Sequence, residues 1–139
     1  MKLCCTLIVA GIGVAGCGDS EADETRRFLQ IAEGLDVDAT PEARRGGIEE
    51  LRRLSLSNAG LRTTRDTCIQ GHEALLAAER LTAGARTDLE ALERSENPRP
   101  DTTIAKAIAD SNTALERAQQ LVPACNQAIS RLVLQHRPR

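Results

Sequence analysis

The amino-acid sequence predicts an all-α protein: an uneven four-helix bundle built on a long antiparallel helical hairpin that a disulfide staples together. Residues with high helix propensity, chiefly Ala, Leu, Glu, Arg and Gln, dominate from Ser20 onward, and no stretch alternates apolar and polar residues as a strand would. The second half of the chain carries two heptad repeats, and Cys68 and Cys125 occupy matching positions in them. The sequence also contains patterns that indicate each helix of the bundle separately.

Two short helices are expected first, over about residues 20–36 and 41–57. Ser20 with Asp23 three residues later resembles a capping box, and Thr40 followed by a proline is typical of a helix start. Each helix has one apolar face that should pack against the hairpin. These faces consist of Phe28, Ile31, Leu35, Ile48, Leu51 and Leu54.

Two long helices follow, over about residues 61–94 and 101–135, and the proline-rich segment 97–100 separates them. Both carry a seam, which is the set of positions, separated by alternating steps of three and four residues, that face the partner helix in a coiled coil. If Cys68 faces Cys125, antiparallel partners have residue numbers that sum to 193, and every seam position then meets a seam position. The seam positions are Leu61, Thr64, Cys68, Gly71, Leu75, Ala78, Thr82, Ala85, Leu89 and Leu92, and then Asp101, Ile104, Ile108, Ser111, Leu115, Ala118, Val122, Cys125, Ile129 and Leu132.

This register also sets large side chains against small ones, as where Gly71 meets Val122. Such alternation fills each layer and lets two helices approach closely. A disulfide between the two seam cysteines is therefore expected, and it would close a long loop and stabilise a core that is poor in large side chains.

The two flanks of the hairpin differ in polarity. One flank is small and apolar, and we expect it to receive the two short helices. Because each short helix is about half as long as the third helix, they should cover only the half that bears the disulfide, and the turn end should project. The small apolar flank consists of Thr67, Ala74, Leu81, Ala107, Ala114, Leu121 and Ala128.

A short apolar stripe lies on the opposite, more polar flank. Ile69 and Leu76 occupy it, with His72 between them. Two interpretations are open: one of the short helices buries these three residues, or they form a contact surface for a partner protein.

The first residues of the chain differ from the rest in composition. A short positive start precedes an apolar run of about a dozen residues, which is less than the roughly 20 that span a bilayer. The following residues, Val14, Ala15, Gly16 and Cys17, resemble the lipobox of bacterial lipoproteins, in which an aliphatic and two small residues precede the cysteine that receives the lipid. The alternatives are an uncleaved anchor and an ordinary secretory signal.

The lipoprotein resemblance implies that residues 1–16 are cleaved, that Cys17 carries a lipid, that 17–19 form a short linker and that 20–139 form one helical domain. The chain would then be anchored in the bacterial cell envelope. Gly18 rather than Asp follows the cysteine. By resemblance to the sorting of enteric lipoproteins, this favours the periplasmic face of the outer membrane over the inner membrane.

Composition and motifs narrow the function classes. The chain has 20 acidic and 18 basic residues and a single aromatic residue, which argues against nucleic-acid binding. Cys68 and His72 are spaced like metal ligands, but no further ligand lies one turn from Cys125, so no metal is expected. No cofactor or catalytic motif occurs. We therefore expect a non-catalytic structural or protein-interaction module, with another envelope protein as partner; the alternatives are a small-ligand-binding bundle and, less favoured, an enzyme.

Overall fold

The computed structural model describes residues 17–96 and 102–136. No strand occurs in these two ranges, so the predicted all-α bundle is confirmed. The expected seam residue Asp101 and the predicted signal segment 1–16 lie outside them. The four helices are α1 (Cys17–Ala32), α2 (Pro41–Arg53), α3 (Ala59–Glu93) and α4 (Thr102–Gln135).

The first helix ends at Ala32, earlier than the position near 36 that its apolar face predicts. The Gly34 amide donates to the Ile31 carbonyl, and the Leu35 amide donates to the Ala32 carbonyl, both at 3.0 Å. These three-residue steps tighten the chain at the helix end, where glycine is a poor helix former. Leu35 nevertheless stays buried in the core, so the apolar face extends beyond the helix.

The second helix ends at Arg53 rather than near 57, because Leu54 adopts an extended backbone (φ −71°, ψ 116°). Residues 54–58 are not helical, and arginine side chains bind their carbonyl groups. Arg65 donates to the Leu54 carbonyl at 3.1 Å, and Arg62 donates to two further carbonyls of the segment. The polar backbone is therefore satisfied without a helix.

Polar side chains fasten α1 to the start of α3. Asn58 caps α3, since its Oδ1 accepts from the Leu61 amide at 3.0 Å. The Asn58 side-chain amide donates to Glu21 at 2.6 Å, and the Ser57 hydroxyl donates to Glu24 at 2.6 Å. These bonds place the first half of α1 at the end of the hairpin that holds the start of α3 and the end of α4, which we call the base.

The hairpin has the predicted register. A disulfide joins Cys68 to Cys125. A Cβ built on Gly71 would lie 3.0 Å from the Val122 nitrogen, so the two backbones nearly touch there. Farther along, the Thr82 and Ser111 hydroxyls hydrogen-bond at 2.8 Å. The residue numbers of all three pairs sum to 193, which confirms the pairing deduced from the seam.

The main hydrophobic core lies in the base half of the molecule. Phe28 and Leu51 are fully buried, and so are both cysteines of the disulfide. Beyond this core the seam of α3 and α4 is buried mainly through small residues. They are Ala78, Ala85, Ser111 and Ala118.

The short helices pack on the polar flank of the hairpin, so the prediction that they cover the small apolar flank is wrong. Arg44 of α2 binds Glu79 of α3, and Leu29 of α1 shares a groove with Asn126 and Val133 of α4. The physical reason is side-chain size. This side offers larger apolar groups and a carboxylate, whereas the predicted flank offers mostly methyl groups.

The far half of the hairpin, residues 78–93 of α3 with 102–115 of α4, is called the arm. Three apolar seam residues of the arm remain exposed: Leu89 is 45%, Ile108 49% and Leu115 41% accessible. Because α1 and α2 are short, α2 reaches only the start of the arm, where Arg44 binds Glu79, and the remainder of the arm consists of two helices only.

We predict that Gly71→Ala destabilises the protein although alanine is the better helix former. Its methyl group would contact the backbone of α4 at 3.0–3.1 Å, so the helices must separate. The matched control is Gly84→Ala, which meets nothing within 4 Å and should gain up to about 1 kcal/mol from helix propensity. Urea unfolding followed by circular dichroism measures both, and a stabilised Gly71→Ala protein would contradict the close approach.

Candidate functional site

The two seam cysteines form a structural bond. Their Sγ atoms are 2.04 Å apart, their Cα atoms are 4.9 Å apart, and both side chains are fully buried. Because Cys68 and Cys125 are bonded to each other and enclosed, neither is available as a nucleophile or as a metal ligand.

Cys17, the predicted lipidation site, is the first residue of α1. The bonds from Glu21 and Glu24 to the start of α3 place this end of α1 at the base. The lipobox residues before Cys17 lie outside the described ranges, so its lipidation stays a prediction.

The predicted partner surface on α3 is largely covered. His72 is fully buried, Ile69 is 8% accessible, and Leu76 is partly buried against the main core. The prediction that Ile69, His72 and Leu76 form a contact surface is therefore wrong for the first two residues. The alternative interpretation, burial beneath a short helix, describes them, because α2 packs against this side of α3 through Arg44.

A buried arginine joins α2 to α3. Arg44 is only 2% accessible, and its Nη2 donates to both carboxylate oxygens of Glu79, at 2.6 and 2.7 Å. Its Nε donates to the Ala39 carbonyl at 3.1 Å. Sequence reasoning missed this residue, although Arg44 shares one face of α2 with the buried Ile48 and Leu51 and the spacing alone could have indicated it.

His72 lies in the same buried region without a hydrogen-bond partner among the described residues. Burial lowers the pKa of His72, and the positive charge of Arg44 lowers it further, while Asp36 opposes both effects. The imidazole is therefore neutral at neutral pH, and the space beneath α2 holds one permanent cation rather than two.

The remaining surface of the described residues offers open grooves. One of them, about 750 Å³, lies between the start of α2 and α3 and is lined by Glu42, Arg45, Leu76 and Arg80, among others. Within residues 17–96 and 102–136, no group of three or more His, Cys, Asp or Glu side chains could hold a metal ion. None of the described helices is long and apolar enough to cross a membrane.

We predict that Glu79→Gln costs about 1–3 kcal/mol of unfolding free energy, because it leaves the buried Arg44 guanidinium without a counter-ion. Glu73→Gln is the matched control. Glu73 pairs with the exposed Arg52 across the same two helices, so Glu73→Gln should lower the unfolding free energy by less than about 1 kcal/mol. Equal losses in chemical denaturation would contradict the importance of burial at Arg44.

We predict that the protein loses stability on acidification through His72. Since the folded-state pKa lies below the ordinary 6.5, the stabilising contribution of neutral His72 is fully present above pH 6.5. It decreases as the pH falls from 6.5 towards the lowered pKa, because the unfolded chain binds the proton more readily. Unfolding free energies between pH 7.5 and 5 should fall more steeply for the native protein than for His72→Leu. Parallel curves for the native protein and His72→Leu would contradict this role.

Comparisons with known proteins found no protein-family model, curated protein or solved structure that matches the chain.

Proposed function

We propose that this protein is a lipoprotein of the bacterial cell envelope that acts as a non-catalytic structural or protein-interaction module. Residues 14–17 resemble a lipobox, and the expected lipid site, Cys17, is the first residue of α1. The anchor would thus join the base without a long flexible linker. Gly18 after the cysteine favours the periplasmic face of the outer membrane.

One observation carries the interaction role: apolar seam residues of the arm are exposed. Leu89, Ile108 and Leu115 are 41–49% accessible, although residues at such positions are buried when a coiled coil is complete. All three lie in the half of the hairpin that is remote from the base. We propose that the arm contacts another envelope protein, which covers these side chains.

The chemistry of the described residues supports a role without catalysis. His72 is fully buried beneath α2, so its ring cannot reach a substrate in solvent. The exposed His136 binds the Leu132 carbonyl through Nδ1, at 3.1 Å. The close approach at Gly71 also argues against a ligand cavity between α3 and α4, because the two backbones are already in contact there.

We predict that Cys17→Ser releases the protein from the membrane fraction or leaves the precursor uncleaved, because the lipid has no other acceptor in the lipobox. Fractionation of the native host and mass measurement of the mature protein test this. Cys4→Ser and Cys5→Ser are matched controls, since these cysteines lie within the predicted signal, and both variants should be processed and anchored normally. Normal processing with an unchanged membrane fraction for Cys17→Ser would contradict the anchor.

A further inference from the structure

The last turn of α4 carries the most exposed large apolar side chain of the described residues. Leu134 is 67% accessible, and the neighbouring Val133 is 44% accessible. Intervals of seven residues place Gln127 and Gln120 on the same face of α4 as Leu134, and both are polar. The exposed apolar surface on this part of α4 is therefore confined to its last turn, which lies at the base.

The charged side chains that accompany this turn are basic. Residues 117–139 contain four arginines and no Asp or Glu. Arg131, three residues before Leu134, is exposed, and no carboxylate among the described residues pairs with it. Apolar and basic side chains exposed together on one helix are typical of contact with a membrane surface.

The described carboxylates in the first half of α1 also lie at the base, but contacts within the protein engage them. Glu21 and Glu24 accept hydrogen bonds from the residues just before α3, each at 2.6 Å. Asp23 pairs with Arg26 at 2.8 Å. The Arg131 guanidinium, in contrast, is available to an anionic group outside the protein.

The expected lipid site lies close to this turn along the axis of the bundle. Glu21 lines one groove with Gln135, so this part of α1 is level with the end of α4. Cys17 precedes Glu21 by four residues in a helix that leads away from the base, which places it about 8 Å beyond Leu134 along the axis. A lipid on Cys17 would hold that residue at the headgroups. Because membrane-surface helices bury their apolar faces by about 5–10 Å, Leu134 would be within reach of the bilayer.

We propose that the last turn of α4 contacts the phospholipid bilayer beside the lipid on Cys17. Leu134 and Val133 insert among the headgroups, and Arg131 binds lipid phosphates. This inference rests on the proposed function, because it uses the anchor at Cys17, and it gives the base a second membrane contact. A lipid alone leaves the hairpin free to pivot, whereas two contacts hold the arm at one inclination to the membrane.

The small size of this surface favours a bilayer over a protein as its occupant. Two apolar side chains and one guanidinium bury far less than the roughly 1,200 Å² of a specific protein interface. A bilayer contact does not require such an area, because the anchor keeps the surface at a high effective concentration. Arginine also suits this ligand, since its guanidinium can donate two parallel hydrogen bonds to phosphate oxygens.

Photo-crosslinking of the full, lipidated chain in vesicles of phosphatidylethanolamine and phosphatidylglycerol tests the contact. A photoreactive residue in place of Leu134 should give a phospholipid adduct that mass measurement detects. The same residue in place of Val37 should give none, because Val37 is 47% accessible but follows the end of α1 that is remote from the base. No lipid adduct from position 134, equal lipid adducts from both positions, or a protein adduct alone would overturn the proposal.

Substitutions of exposed residues test which side chains hold the contact, with the photoreactive residue now in place of Val133. Leu134→Glu should lower the lipid adduct about tenfold, because the inserted apolar group is lost. Arg131→Gln should lower it about fivefold, because one phosphate contact is lost. Val37→Glu and Arg45→Gln are matched controls at exposed positions remote from the base, and both should leave the adduct unchanged. An undiminished adduct in either base variant would overturn the proposal.

The mass of the mature chain separates this inference from the anchor itself. A lipidated, membrane-bound chain without a lipid adduct from position 134 would overturn the contact alone. A chain that carries no lipid on Cys17 yet forms the adduct with added vesicles would contradict the anchor and support the contact. Absence of both the lipid and the adduct would overturn both proposals.

Discussion

The close contact between α3 and α4 near Gly71 is the constraint on which the rest of the structure depends. A Cβ at this position would lie 3.0 Å from the Val122 nitrogen, so the helices approach to backbone contact. One seam layer away, the disulfide between Cys68 and Cys125 closes a loop with a sequence separation of 57 residues. In the chain-entropy model such a loop contributes roughly 4 kcal/mol. The small side chains and the covalent bond together compensate for a core with few large residues.

The sequence was sufficient to predict this register, because the residue numbers of antiparallel seam partners have a constant sum, so that one known pair determines all the others. Once Cys68 was paired with Cys125, every other seam pair followed, including the hydroxyl pair of Thr82 and Ser111, which are 2.8 Å apart. The flank that receives α1 and α2 could not be predicted in this way. Periodicity shows which residues share a face, whereas the choice between two faces depends on the area that each contact buries and on the partner available to Arg44.

The positions of the helix ends could not be predicted from the local sequence either. The apolar pattern of α2 continues to Leu54 and Leu56, yet residues 54 to 58 are not helical. In this conformation Leu56 is still buried. The arginines that bind the carbonyl groups of this segment come from the next helix, so a reading of the segment alone does not include them. The base is thus closed by polar contacts between elements distant in sequence.

The buried ion pair of Arg44 and Glu79 helps to determine where α2 packs on the hairpin. A guanidinium that is 2% accessible requires a counter-ion, and Glu79 supplies it from a surface that is partly exposed. An alternative placement of α2 on the small apolar flank would bury Arg44 without Glu79 or leave the apolar Ile48 and Leu51 in solvent. The ion pair therefore contributes to the choice of flank as well as to stability. Because α1 and α2 occupy this flank near the base, the continuation of the same face along the arm is left without a cover, and its exposed leucine and isoleucine side chains follow from the same choice.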